Sequence, residues 1–502
     1  MRPPLTGAAQ PALWLVSGRA VGFALTFAIP VVLARSLTPA AFGTYKQLFL
    51  IYATLYTLGQ LGMAESLYYF LPAEKRGAGP LLANAALVLA ASGAFLLALL
   101  LGTGDLIARL LSNPALVEHL APLGIFLGFM LLSSPLEIAL ICRNRYRSAA
   151  AAYALSDACR AALLILPVLW FPRVGAVMVG AILFAGGRAA ATIVLLVRTL
   201  REKLRPDAPL LRRQLGYALP FELYVLVAIA QGSYHQYAIA HQFDAAAFAV
   251  YSVGCLALPL VDLVGTSAGN VLMVQMGEAI RDGRPGEAAG LWRETVRKLA
   301  LLLLPLAGLL VVNARDIIEL LFTSVYSSSV PIFMLCALVL FPLAVPIDSG
   351  LRVFAETRTL FVLHLVTLLT VAASLPWLLS WLGIAGGIVS VALSAAVAKG
   401  IGLARLGRLM RVPATRVLPW QAIGAVTAVA AAACVPALVT ERVLPFPPFI
   451  RAAAVSLVYA ASFGAGCAVL RIFRAEEILA ARAWIRRLVA AVHLTRATSE
   501  GG

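Results

Sequence analysis

ARSLTPAAFGTY at 34–45 and AHQFDAAAFAVY at 240–251 carry one pattern twice: each opens on alanine and closes on Ala-Ala-Phe-x-x-Tyr, with Tyr45 and Tyr251 206 positions apart. A second pair follows downstream. GAVMVGAILFAGGR at 175–188 answers GGIVSVALSAAVAK at 386–399, each placing one cation, Arg188 or Lys399, 13 residues after a glycine. Two matches in one order and at nearly one offset indicate an internal duplication, and both lie in or beside long apolar runs. Duplicated sets of apolar helices are the layout of a transporter whose halves move against each other around a midplane site.

Working outward, apolar runs between charged or Pro/Gly-rich breaks predict spans near 12–33, 44–70, 80–102, 120–142, 153–172, 174–198, 215–240, 245–275, 299–322, 330–351, 359–382, 384–405, 420–440 and 450–471. About 20 apolar residues cross a bilayer core, so runs of this length are spans. Composition agrees: 502 residues are 61% hydrophobic and 13% charged, with a mean hydropathy of +0.92, well beyond a soluble domain. The expected fold is an all-α integral membrane protein of about fourteen transmembrane helices, two six-helix pseudo-symmetric bundles plus two C-terminal helices. In residues, this is an N-terminal lobe at 1–198, a connector at 199–214, a second lobe at 215–406, two extra helices at 407–472 and a basic amphipathic tail at 473–502. The run 12–33 is too long for the apolar region of a cleavable signal and is read as the first span.

The net charge of +17 would suggest nucleic acid in a soluble chain. Here most of the 40 Lys and Arg residues fall in alternate loops, while the opposite loops keep only Arg35, Arg109, Arg173, Arg315, Arg442 and Arg451. That alternation is the positive-inside signal, and it puts both termini in the cytoplasm with no nucleic-acid partner implied. The six cysteines stand singly, with no CxxC spacing, so neither a metal site nor a disulfide framework is expected. No cofactor is expected either. No loop is long enough for a catalytic domain and no GxxxxGK[ST] occurs; an enzyme is therefore not expected.

LARSLTPAAFGTYKQLFLIY at 33–52, LGMAESLYYFLP at 61–72 and LPWLLSWLGIAGGIVS at 375–390 resemble the polysaccharide flippase branch of the multidrug/oligosaccharidyl-lipid/polysaccharide exporter superfamily, the O-antigen and exopolysaccharide repeat-unit flippases. The resemblance implies a multi-pass protein of the bacterial inner membrane. It would turn an undecaprenyl-pyrophosphate-linked oligosaccharide from the cytoplasmic to the periplasmic leaflet by alternating access. The partners implied are the lipid-linked oligosaccharide, membrane lipids and polysaccharide polymerase or ligase machinery. The alternative is an ion-coupled multidrug/cation antiporter of the same superfamily, which would use carboxylates in spans 7 and 10.

Charges inside the bilayer cost several kcal/mol and are functional candidates by default. Arg19, Arg188 and Lys399 are the cavity cations expected to hold a lipid pyrophosphate, since arginine binds phosphate bidentately. Two other readings stand beside this one: Arg19 pairs with Glu65, and Arg188 or Lys399 pairs between helices, with Asp262 in reach. Related lipid-linked peptidoglycan precursor flippases carry an arginine after a serine in span 1; Ser17-Gly18-Arg19 is similar but offset by one. Glu65, Glu222, Asp262 and Asp348 are the gate or ion-coupling carboxylates. Asp157 and Arg160, one turn apart, are expected to satisfy each other. Gln231, His235, Gln236 and His241 in span 7 are the sugar-contact candidates, alongside Tyr234 and Tyr237.

Overall fold

The computed structural model describes residues 25–73, 79–142, 146–200, 205–256 and 259–474, together with Gly22. Among the described residues every regular element is a helix. Ten of these helices are long and apolar enough to cross a membrane, from Gly79–Gly102 to Pro448–Val469. Their outer faces carry what a soluble protein buries: Phe95 is 67% exposed, Trp170 80%, Leu457 72% and Val469 79%. Apolar surface on that scale is stable only against hydrocarbon. The protein is an all-α integral membrane protein.

Four of the fourteen predicted spans are not among the ten, and each has a reason. The run 12–33 lies in part outside the described residues, leaving the short apolar helix Leu25–Ser36. The run 44–70 divides into Pro39–Gln60 and Met63–Ala73 at Leu61 and Gly62, whose φ of 47° and 63° are left-handed. The run 245–275 divides into Ala245–Gly254 and Pro259–Arg281. Ala208–Gln242 is one long helix, but Arg212, Arg213, Glu222, Gln231, His235 and His241 dilute its apolar content. These are spans 1 and 2 and, at the repeat offset, their counterparts 7 and 8. A membrane helix this polar needs protein or water on its polar face rather than lipid.

The chain forms two compact units, the first drawn from Met1–Pro259, Ile318–Cys336 and Thr357–Ile401, the second from Leu260–Ile317, Ala337–Glu356 and Gly402–Gly502. In the first unit, both copies of the repeat fold alike. Thr38 caps Pro39–Gln60 in an extended conformation by accepting from the Ala41 amide, and Asp244 does the same for Ala245–Gly254 through the Ala247 amide. A short oxygen-bearing side chain at this position satisfies an amide the helix leaves bare. Three and six residues after the first helical positions come Phe42 and Tyr45, and their equivalents Phe248 and Tyr251, all buried. The two helices then pack on each other so tightly that a Cβ on Gly43 would overlap the Ala245 carbonyl. Gly79–Gly102 meets Val117–Ser133 the same way, a Cβ on Gly93 falling 2.8 Å from Gly128 Cα. Small residues at crossings let membrane helices gain dispersion contact where no hydrophobic drive exists between them.

In the second unit, Pro285–Val312, Trp420–Val443 and Pro448–Val469 surround a core of Val312, Ala433, Ala437, Val455 and Tyr459. Two buried polar side chains here are paired: Tyr459 donates to the Pro305 carbonyl at 2.9 Å, and Trp292 Nε1 to that of Val417 at 3.0 Å. Arg451 closes a bidentate pair on buried Asp316, so this arginine, counted at the sequence level as a loop charge, is a tertiary tie.

Candidate functional site

Arg188 lies on Val174–Leu200, well inside the first unit. The helix Val117–Ser133 ends beside it and Pro135–Cys142 begins. That break delivers Ser133 and Glu137 to one place, while Tyr146–Trp170 brings Ser156. Arg188 Nε donates to Ser133 Oγ at 3.0 Å, Nη1 to Ser156 Oγ at 2.6 Å and Nη2 to Glu137 Oε2 at 2.8 Å. Glu137 Oε1 lies 2.7 Å from the same Nη2. A guanidinium paired in this way is neutralised in place; removing one partner would strand the other as an uncompensated charge. Of the two readings offered for Arg188, the structure supplies the interhelical pair, with Glu137 as partner. Glu137 was not singled out from sequence, although it is the one acid of the run 120–142, a signal that was there to use.

Asp157 and Arg160 form the expected i,i+3 pair at 2.9 Å, and Arg160 also reaches Thr26 Oγ1 at 2.6 Å on the first apolar helix.

The polar face of Ala208–Gln242 is organised rather than diffuse. Gln231 Oε1 meets His364 Nδ1 at 2.7 Å. His235 Nδ1 meets Tyr251 Oη at 2.5 Å. Tyr237 donates to Thr54 Oγ1 at 2.8 Å, and His241 Nδ1 donates to the Leu110 carbonyl at 2.7 Å. Gln236 is half-buried beside them. His235 is thus a satisfied interhelical hydrogen bond, holding the helix against the second copy of the repeat.

Glu222, on the same helix, differs from all of these. It is 7% exposed, and its Oε1 has no hydrogen-bond partner among the described residues. The Gly62 amide, at the left-handed break between Pro39–Gln60 and Met63–Ala73, lies near the carboxylate, and exposed Glu65 adds a second negative charge in range. A buried carboxylate with a bare oxygen costs free energy that a cation or proton would recover.

The remaining candidates do not join these groups. Arg19 lies outside the described residues, as does the tail beyond Arg474. Asp262 belongs to Pro259–Arg281, but its side chain is likewise outside the description. Lys399 is half-buried on Ala385–Leu409 and engaged in an interaction of its own. Asp348 is exposed at the start of Ile347–Val353. No group of three or more His, Cys, Asp or Glu that could hold a metal occurs among the described residues.

The profile of the polysaccharide biosynthesis protein family matches residues 32–331, a stretch that contains both copies of the opening repeat. No curated protein matches the chain. Among solved structures, the lipid II flippase MurJ in an inward closed conformation is 12% identical with a TM-score of 0.71, covering 92% of this chain and 98% of its own. An inward-facing multidrug resistance MATE family transporter of the MOP superfamily is 15% identical with a TM-score of 0.63, covering 77% and 94%. A MOP superfamily transporter from Pyrococcus furiosus, described as having a binding pocket of reverse polarity, is 15% identical with a TM-score of 0.54, covering 80% and 95%. At such identities the likeness establishes the fold alone, one shared with these transporters.

Proposed function

The chain belongs to the polysaccharide biosynthesis protein family, and from that premise we propose that it flips a lipid-linked oligosaccharide, joined through pyrophosphate to a polyprenyl carrier, between the leaflets of the bacterial inner membrane. The observation that carries the reading is where polarity sits in the membrane. Hydroxyls, amides and imidazoles gather on Pro39–Gln60 and Ala208–Gln242, while ten other long helices are apolar enough to face lipid. A cargo with a large hydroxylated head and a hydrocarbon tail needs such a division: hydrogen-bonding groups along its path, lipid beside it.

In this proposal, the lobes 1–198 and 215–406 alternate access with both termini cytoplasmic. Gln231, Gln236 and His241 offer hydrogen bonds to sugar. Arg19 and Lys399 attract the pyrophosphate, and a phosphate reaches Arg188 only by displacing Glu137. Glu222 supports coupling to an ion or proton gradient, and it is also the observation that favours a second reading, an ion-coupled antiporter of organic cations.

Complementation separates the two. Expressed in a bacterium deleted for its own repeat-unit flippase, the chain should restore surface polysaccharide. Resistance to cationic drugs without polysaccharide would give the antiporter the better claim.

A further inference from the structure

Away from the polar helices, the second unit holds a concentration of positive charge that the transport reading does not use. A cavity of about 670 Å³ opens between Pro285–Val312, the segment before Trp420–Val443, and Arg474, within the size range of small-ligand sites, about 300–1,000 Å³. Arg293, Arg297, Arg416 and Arg474 line it with a single carboxylate, Glu294. Glu294 is already committed: Arg297 donates to it at 3.1 and 3.3 Å, and Arg474 approaches at 3.0 Å. Arg293 and Arg416 are exposed and have no counter-charge among the described residues.

Arg293 and Arg297 are four residues apart on one helix, a spacing that stacks like charges and disfavours the helix unless an anion lies between them. The amide end of Trp420–Val443, a 24-residue helix, also faces the cavity, so the backbone adds partial positive charge from that side. Trp420 is exposed at the rim, as aromatic side chains are at the level of lipid headgroups. From Arg474 the sequence continues into Arg482, Arg486 and Arg487, a composition suited to an anionic membrane surface.

We propose that this cavity binds the phosphate headgroup of an anionic phospholipid, held by Arg293 and Arg416 over the Arg297–Glu294–Arg474 base. Arginine forks match phosphate oxygens bidentately, and the diacyl tails would lie along the apolar faces of the spans that frame the cavity. The site is independent of the cargo proposed above.

The full chain, purified in a neutral detergent, tests it by native mass spectrometry after addition of phosphatidylglycerol. The parent should retain phosphatidylglycerol at least fivefold more than phosphatidylcholine. The double variant R293Q/R416Q should lose that preference, whereas R109Q, an exposed arginine on another helix, should keep it. Thermal melting of the double variant equal to the parent's without lipid would show that the fold is intact. Equal retention by parent and double variant overturns the proposal. So would protection from melting by inorganic pyrophosphate alone that matches phosphatidylglycerol, since a soluble phosphate would then be the ligand, and so would displacement by an isoprenyl diphosphate at far lower concentration than phosphatidylglycerol.

Discussion

Arg188 and Glu222 are both ionisable groups held inside the first unit, and they are treated oppositely. Arg188 is matched by three side chains from three neighbouring helices. Glu222 has a buried oxygen that meets no hydrogen-bond partner among the described residues, and a like charge in range. The contrast separates a charge that ties helices together from one that stores unfavourable energy. Only the second has something to gain from a ligand, an ion or a conformational change, so Arg188, one of the three cations read from sequence as anion contacts, is structural in this state, and the carboxylate is the poised group.

Breaking the Arg188 tie should produce the largest loss of stability. Glu137→Ala strands a buried guanidinium and should cost about 3–5 kcal/mol, read as reduced yield and melting temperature in detergent. The double variant Glu137→Leu/Arg188→Met should recover most of it. If Glu137→Ala melts like the parent, Arg188 is not locked and becomes available again to an anion.

Next comes the seam between the repeat copies. Gly43→Val pushes a side chain into the Ala245 carbonyl and should cost about 1–3 kcal/mol or more by overpacking. The same substitution at Gly187, which faces open space, should cost clearly less. The caps are smaller still: Thr38→Ala and Asp244→Ala should each cost about 1 kcal/mol, and similar values at the two positions would sharpen the equivalence of the repeats.

Glu222→Gln should change stability least, by less than about 1 kcal/mol and in the stabilising direction if at all, because the amide removes a buried charge with a bare oxygen. Transport, by contrast, should fall tenfold or more. A variant that melts far below the parent would make Glu222 another structural tie and erase the contrast with Arg188.

Much of this was legible in the sequence because it is local. The duplicated Ala-Ala-Phe-x-x-Tyr motif carries its own cap, its buried aromatic pair and its small residues, so both copies could be placed before any coordinates. The Asp157–Arg160 pair follows from helical spacing alone. Glu137 stood out as the one acid of its run, but its pairing with Arg188 was not legible, since the two are 51 residues apart in the chain and meet only through packing of separate helices. The divisions at Leu61–Gly62 and between Gly254 and Pro259 fell inside apolar runs that hydropathy joins without a break, although glycine and proline stood there as signals. That an oxygen of Glu222 meets no partner among the described residues is a matter of tertiary packing, which composition does not report.

The most direct test of the account is flipping by the purified chain. Proteoliposomes would be loaded with a fluorescent polyprenyl-pyrophosphate-linked oligosaccharide, and the fraction open to an externally added lectin followed with time under an imposed ion gradient. The account predicts that lectin-accessible substrate rises with the parent protein, and stays near the protein-free level with Glu222→Gln. No rise with the parent, in vesicles where the same preparation moves an organic cation, would contradict it.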